Sequence, residues 1–161
     1  MLSFVQRRVV KPVMDLLRMG ATPERLAWSL AMGVMIGINP VLGSTTVLAL
    51  VLASAFRLNY VASQVGNHAV YPLQLLLLPL WIKMGSLLFG MPGLKLGRRE
   101  LMHAVKEHPW QTTKALWTWE WHALVVWAIA AAVLTPLLAM AFKPVLSKML
   151  ERLHHEPVVE K

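Results

Sequence analysis

The chain alternates between long apolar runs and short charged segments. Three runs contain no Asp, Glu, Lys or Arg: residues 26–56, 58–82 and 121–142, which are 31, 25 and 22 residues long. Each exceeds the ~18 apolar residues that indicate a membrane helix. The pattern therefore predicts an all-α integral membrane protein, with residues 121–142 in a C-terminal transmembrane helix.

The first apolar run is too long for one span and contains its own interruption. As a single helix its 31 residues would measure ~46 Å, against a hydrocarbon core of ~30 Å. Pro40 lacks a backbone N–H and restricts Asn39, and Gly43 allows a bend. Ser44 and Thr45 offer side-chain oxygens to cap a new helix. We predict a broken helix whose freed backbone groups line a polar pocket.

The second run contains a similar interruption. Asn67 and Pro72 follow Asn39 and Pro40 by roughly 30 residues, and paired interruptions of this kind mark binding sites in transporters. Two ordinary kinked helices would give the same pattern. Each run either crosses the membrane completely or enters and returns as a re-entrant helical hairpin. The short half-helices and Arg57, the only charge between the two runs, favour hairpins.

The polar residues around the breaks predict an anion site. A helix beginning near Ser44 would direct free N–H groups and the positive end of its dipole into the break. A phosphate or carboxylate there would meet the amides of Asn39 and Asn67, with charge from Arg57, unless Arg57 extends to lipid headgroups. The candidate ligand-binding residues are Asn39, Pro40, Gly43, Ser44, Thr45, Arg57, Asn59, Asn67 and His68.

Several of these residues have structural alternatives. Asn59 is equally suited to hydrogen bonding between helices, and His68 either relays protons or serves as a hydrogen-bonded structural residue. Gly33 and Gly37 form a small-xxx-small face that predicts close helix packing. The chain has no cysteine, and no Asp or Glu lies between Arg25 and Arg99. We therefore expect no catalytic residues, no metal site and no cofactor, and no enzyme activity.

Charge refines the prediction of partners and topology. Only 15% of residues are charged, against ~25% in soluble domains, and the mean hydropathy is +0.54. The net charge is +8, and the basic residues lie at the flanks of the apolar runs. This arrangement predicts anionic lipid headgroups as partners and no nucleic acid. The positive-inside rule predicts a multi-pass protein with a cytoplasmic N-terminus. The same rule favours the cytoplasm for residues 95–116 and for the tail. A single C-terminal crossing would place these two segments on opposite sides, so it cannot satisfy both preferences.

The chain divides into five predicted segments. Trp110, Trp117, Trp119 and Trp121 cluster at the start of the last apolar run, as an interfacial aromatic belt would. The segments are a basic amphipathic interfacial helix (1–20), a broken-helix membrane core (21–94), a cytoplasmic basic connector with one helix near 98–107 (95–116), a C-terminal transmembrane helix (117–143) and a basic polar tail (144–161).

A set of ordered residues from Thr22 to Gly90 resembles the bacterial membrane family called domain of unknown function 2062. The matching residues are Pro23-Glu24-Arg25-Leu26-Ala27, Gly33, Gly37, Pro40, Gly43, Thr45, Arg57-Leu58-Asn59, Asn67 and Gly85. The family usually follows its later Asn with Pro and then Thr, where this chain has His68 and Val70. The resemblance implies a bacterial inner (cytoplasmic) membrane location, no settled activity, and a neighbourhood of envelope or polyprenyl-lipid chemistry.

Two functions follow from these observations. The first is binding or transport (flipping) of an anionic lipid or phosphate-bearing substrate at the paired broken helices, by a protein that would form a homo-oligomer. The second is a non-catalytic membrane scaffold or accessory subunit that docks an envelope or glycolipid enzyme.

Overall fold

A computed structural model describes residues 11–18, 21–90, 106–107 and 109–155. Every regular element in these residues is an α-helix, which confirms the all-α prediction. The helices are α1 (Lys11–Arg18), α2 (Pro23–Gly37), α3 (Thr45–Ala55), α4 (Tyr60–Ala69), α5 (Tyr71–Leu88) and α6 (Pro109–His155).

Helices α2 and α3 form a hairpin that returns to its starting point. The side chain of Thr22 caps α2 by accepting a bond from the Arg25 backbone N–H at 3.3 Å, and Pro23 occupies the first turn. At the end of α3, the carbonyl oxygen of Arg57 accepts bonds from Nε and Nη2 of Arg25 at 2.9 and 2.6 Å. Residues 23–57 therefore leave one end of the bundle and come back to it.

Helices α2 and α4 run parallel in close contact, at a constant sequence offset of 30 residues. The contacting pairs are Ser29 with Asn59, Gly33 with Ser63, and Gly37 with Asn67. A Cβ atom at Gly33 would overlap the Ser63 carbonyl, and one at Gly37 would lie 2.6 Å from the Asn67 carbonyl oxygen. Glycine is therefore required at both positions for the two backbones to approach.

Helix α2 lies antiparallel to the part of α6 between Trp127 and Lys143. Trp127 Nε1 donates a bond of 2.8 Å to the Met35 carbonyl near the end of α2. At the start of α2, Glu24 Oε2 lies 3.3 Å from Lys143 Nζ. We call the end that carries Arg25, Arg57 and Lys143 the basic end, and the opposite end, where α2 and α4 terminate, the break end.

Helix α1 packs on the basic end. Its side chains Val13 and Leu16 are buried in a cluster with Leu26 of α2 and Leu146 of α6, while Lys11 is exposed. The apolar face of α1 therefore covers the bundle, where the sequence pattern predicted an interfacial helix. Residues 1–10 of that predicted helix lie outside the described residues.

Helix α6 is longer than the predicted transmembrane helix. It begins at Pro109 and continues through Pro136 and Pro144 to His155, so 116/117 and 143/144 are not helix ends. A proline removes one backbone hydrogen bond, but every other backbone group in an apolar setting still needs its helical partner. The predicted connector helix near 98–107 lies outside the described residues except for Lys106 and Glu107.

Two of the described helices are long and apolar enough to cross a membrane. These segments are Tyr71–Leu88 and Trp117–Arg152, and the 18-residue stretch that qualifies each has a mean hydropathy of 1.3 and 2.3, respectively. Large apolar side chains are also exposed along α3, α5 and α6. Soluble proteins rarely expose apolar surface on this scale, so the composition of these helices suggests membrane association.

Candidate functional site

The break between α2 and α3 is organised by the buried side chain of Asn39. Its Oδ1 accepts a bond from the Val41 N–H at 2.8 Å, and its Nδ2 donates to Ser44 Oγ at 3.4 Å. Ser44 Oγ in turn donates to the Val41 carbonyl at 2.9 Å and makes no cap bond to α3. The predicted capping role of Ser44 is therefore wrong, because its hydroxyl is used inside the loop. Pro40 is buried, and Gly43 has a φ of 82°, in the left-handed region that favours glycine.

The carbonyl groups freed at this break are bound by side chains from other helices. The pairs are Trp127 Nε1 with Met35 at 2.8 Å, Trp81 Nε1 with Ile38 at 2.8 Å, and Gln74 Nε2 with Asn39 at 2.9 Å. The last carbonyls of a helix have no intrahelical donor, and a buried indole N–H needs an acceptor. Sequence reasoning missed these three donors, although two tryptophans inside apolar runs are a signal for such acceptors.

The break between α4 and α5 contains a second chain of hydrogen bonds. Asn67 Nδ2 donates to Gln64 Oε1 at 3.2 Å, and Gln64 Nε2 donates to the Thr46 carbonyl at 3.2 Å. Thr45 is buried beside this contact. His68 is exposed, and its Nδ1 lies 2.9 Å from the Gln64 carbonyl oxygen, as in a structural histidine.

Among the described residues, three buried side-chain oxygens have no hydrogen-bond partner: Asn67 Oδ1 and Gln74 Oε1 at the break end, and Ser63 Oγ within α4. Exchanging the amide N and O positions of Asn67 or Gln74 does not give these oxygens a partner. Each chain of amide donors ends at a backbone carbonyl, which only accepts hydrogen bonds. The break end therefore presents spare acceptors next to the negative C-terminal ends of α2 and α4. These acceptors favour a ligand that donates hydrogen bonds over an anionic ligand.

The sequence-predicted site residues are divided between the two ends of the bundle. Arg57 and Asn59 lie at the basic end, and the other seven candidates lie at the break end. The 15 residues of α2 separate these ends by ~20 Å. Arg57 is exposed with a φ of 52°, and its guanidinium makes no hydrogen bond or ion pair within the described residues. Asn59 caps α4 by accepting a bond from the Ala62 N–H at 2.9 Å.

A polar cleft of about 340 Å³ opens at the basic end. It lies between the start of α2 and the start of α4. Its lining residues are Ala21, Thr22, Arg25, Leu58, Asn59, Tyr60 and Val61. Arg25 is the one charged side chain among the described residues of this lining, and its bonds to the Arg57 carbonyl fix it in place. The sequence pattern did not single out Arg25, because it reads as an ordinary flanking charge.

An apolar groove of about 580 Å³ lies beside the polar cleft, between α2, α3 and α6. Leu58 belongs to both, so the polar cleft and the apolar groove share a wall. The groove is lined by Trp28, Met32, Met35, Ile36, Leu52, Phe56, Leu58, Trp127, Ala128, Ala131, Ala132, Thr135 and Pro136. A hydrocarbon chain attached to a charged group matches this combination of surfaces.

No group of three His, Cys, Asp or Glu residues in the described part of the chain is placed to hold a metal ion. The adjacent His154 and His155 belong to α6, but their side chains are outside the described residues. The arrangement at the basic end therefore offers hydrogen-bond donors and apolar surface.

Comparison with known proteins bears on the family alone. No curated protein and no solved structure matches the chain. A family described as an uncharacterized protein conserved in bacteria, DUF2062, matches residues 6–155. The match extends beyond the resembling residues 22–90 to include α1 and α6, so the chain belongs to the DUF2062 family.

Proposed function

We propose that the protein binds an anionic lipid in the membrane, with a hydrocarbon chain in the apolar groove and the headgroup in the polar cleft. The observation that supports this is the wall at Leu58 that the two cavities share. The cleft supplies the Arg25 guanidinium at one side of that wall, and the groove supplies Trp28, Leu52 and Phe56 at the other. Charge and apolar surface thus occur in the order in which a lipid presents them.

The dimensions of α2 and α3 suit a site at one membrane surface. Their 15 and 11 residues would extend only ~22 and ~16 Å, less than the ~30 Å hydrocarbon core. We infer that residues 23–57 enter the membrane from the basic end and return to it as a re-entrant hairpin. A headgroup in the polar cleft would then lie at the level of lipid headgroups, and its chain would extend into the apolar layer.

The size of the groove fits one chain. Its volume of about 580 Å³ is in the range of ligand pockets, ~300–1,000 Å³, and leaves room for a hydrocarbon chain. The second chain of a two-chain lipid would remain in the bilayer, because the groove is open on its side.

Binding can be tested on the purified full-length protein in a neutral detergent. We expect phosphatidylglycerol to raise the melting temperature more than phosphatidylcholine with identical chains, because only the former carries net negative charge. Arg25→Ala should remove the difference between these lipids. Lys83→Ala is the matched control, because Lys83 is an exposed basic residue on α5, away from the basic end.

A second variant separates binding from folding, because Arg25 also holds the Arg57 carbonyl. Ala132→Trp should fill the groove from an exposed position on α6 and weaken binding of both lipids without removing any charge. Equal stabilisation by both lipids in the wild type, or unchanged binding to Ala132→Trp, would contradict the proposal.

A further inference from the structure

The polar cleft is lined by hydrogen-bond donors that the fold does not use. Arg25 donates Nε and Nη2 to the Arg57 carbonyl, which leaves Nη1 and one hydrogen of Nη2. Asn59 uses only Oδ1 for its cap, so its NH₂ group is uncommitted. The Thr22 oxygen accepts from the backbone N–H of Arg25, and neither the Thr22 hydroxyl nor the Tyr60 hydroxyl donates a bond to a described residue. Four side chains therefore present donors to one space.

The described residues that line the cleft also include no carboxylate, neither Asp nor Glu. The nearest acid along the chain, Glu24, is exposed and lies 3.3 Å from Lys143. The guanidinium of Arg57 stands uncommitted next to the cleft, immediately before Leu58 in the chain. The described lining thus carries one positive charge, from Arg25, and Arg57 adds a second next to Leu58 in the chain.

From these donors and charges we propose that the headgroup recognised in the polar cleft is a phosphate monoester at the end of a lipid; this rests on the lipid-binding function proposed above. A phosphate monoester has three strong acceptor oxygens and a charge of about −1.5 to −2 at pH 7. Arg25 keeps its Nη1/Nη2 edge, which pairs with two phosphate oxygens. Asn59, Thr22 and Tyr60 are the donors for the third oxygen.

Other headgroups use this site less fully. A phosphodiester has two free oxygens and a single charge, so it leaves at least one donor and one arginine uncompensated. A carboxylate likewise has two oxygens and one charge. A choline headgroup brings a cation that finds no acidic side chain in the lining.

The test uses three lipids with identical brominated chains: phosphatidate, phosphatidylglycerol and phosphatidylcholine. Trp28 and Trp127 line the apolar groove, so a bromine atom there quenches tryptophan fluorescence. The quenching lost in Trp28→Phe identifies the part that comes from Trp28 in the groove. At pH 7.5 we expect phosphatidate to half-saturate this signal at about one tenth of the concentration that phosphatidylglycerol needs.

The ligand's own titration provides a second readout. The second ionisation of a phosphate monoester lies near pH 6, so its charge falls toward −1 at pH 5. The advantage of phosphatidate should therefore decrease severalfold at pH 5. Phosphatidylglycerol keeps one charge at both pH values and so reports any change in the protein. The charged residues of the described segments at the basic end are Lys11, Asp15, Arg18, Glu24, Arg25, Arg57, Lys143, Lys148, Glu151 and Arg152.

Substitutions at Asn59 distinguish charge from structure. Asn, Asp and Ser are all good N-cap residues, so Asn59→Asp and Asn59→Ser should both keep the cap of α4. We expect Asn59→Asp to weaken phosphatidate binding at least tenfold by repulsion, and Asn59→Ser to weaken it only severalfold. Melting temperatures should stay close to that of the wild type.

Each outcome has a defined meaning. Equal half-saturation by phosphatidate and phosphatidylglycerol at pH 7.5, or an advantage that persists at pH 5, would overturn the phosphate monoester while leaving lipid binding intact. The absence of groove quenching by all three lipids would overturn the proposed function itself.

Discussion

Individual side chains at the break end stabilise the fold by binding backbone groups that the helix interruption frees. Met35, Ile38 and Asn39 each have a carbonyl bound by a donor from α5 or α6. The sequence identified the interruption at Asn39 and Pro40, because their backbone chemistry is local. The sequence did not identify the partners, because Trp127 lies 92 residues from Met35 and long-range pairing leaves no local pattern.

The indole N–H of Trp81 should contribute to stability separately from its ring. Trp81→Phe keeps an aromatic ring but leaves the buried Ile38 carbonyl without its donor. We expect the free energy of unfolding to fall by ~1–3 kcal/mol, the cost of an orphaned buried polar group. The measurement is thermal or denaturant unfolding in detergent.

Trp28→Phe is the matched control for this prediction. Trp28 is 38% exposed and its indole makes no hydrogen bond to a described residue. Its substitution should change stability by less than about 1 kcal/mol. An equal loss of stability in both variants would mean that ring volume, and not the N–H group, determines the effect.

Pairs of helices show which parts of the fold were predictable. The apolar runs, the start of α2 at Thr22-Pro23 and the interruptions follow from local chemistry, and all are helical or turn features of the structure. The spacing of Gly33 and Gly37 predicted a packing face but not its partner. The partner is α4, and the constant offset of 30 residues matches the spacing of the two interruptions. The polar cleft and the apolar groove could not be predicted from the sequence, because each lies between segments that are far apart in the chain. In the groove, one of these segments belongs to α6.

The contact of α2 with α4 should depend on the absence of a side chain at Gly33. In Gly33→Ala the new Cβ would overlap the Ser63 carbonyl, and backbone cannot move as a flexible side chain can. We expect a loss of ~1–3 kcal/mol or more in the free energy of unfolding, as for other overpacked sites. Ser54→Ala, at an exposed position of α3, is the control and should have little effect. A stable Gly33→Ala protein would show that the two helices can separate without cost.

The distribution of charge over the described residues predicts an orientation in the membrane. Lys and Arg positions of the described residues at the basic end are Lys11, Arg18, Arg25, Arg57, Lys143, Lys148 and Arg152. Toward the other end of α6 they are Lys83, Lys106 and Lys114. The positive-inside rule therefore favours the cytoplasm for the basic end. This places the C-terminal part of α6 together with the N-terminal helices. If α6 crosses the membrane, Lys114 lies on the far side, contrary to the cytoplasmic location that the sequence pattern favoured for residues 95–116.

This orientation can be measured with single cysteines, because the chain has none of its own. We expect Arg57→Cys and Lys143→Cys to react with a membrane-impermeant maleimide from the cytoplasmic side, in inverted vesicles. Lys114→Cys should react from the opposite side, in intact cells with a permeable outer membrane. All three positions are exposed, so differences in labelling report sidedness and not burial. Labelling of Arg57→Cys and Lys143→Cys from opposite sides of the membrane would rule out the re-entrant hairpin proposed for residues 23–57. Labelling of Lys114→Cys and Lys143→Cys from the same side would show that α6 does not cross. The polar cleft lies beside Arg57, so the side that labels Arg57→Cys is also the membrane surface from which a headgroup enters the site.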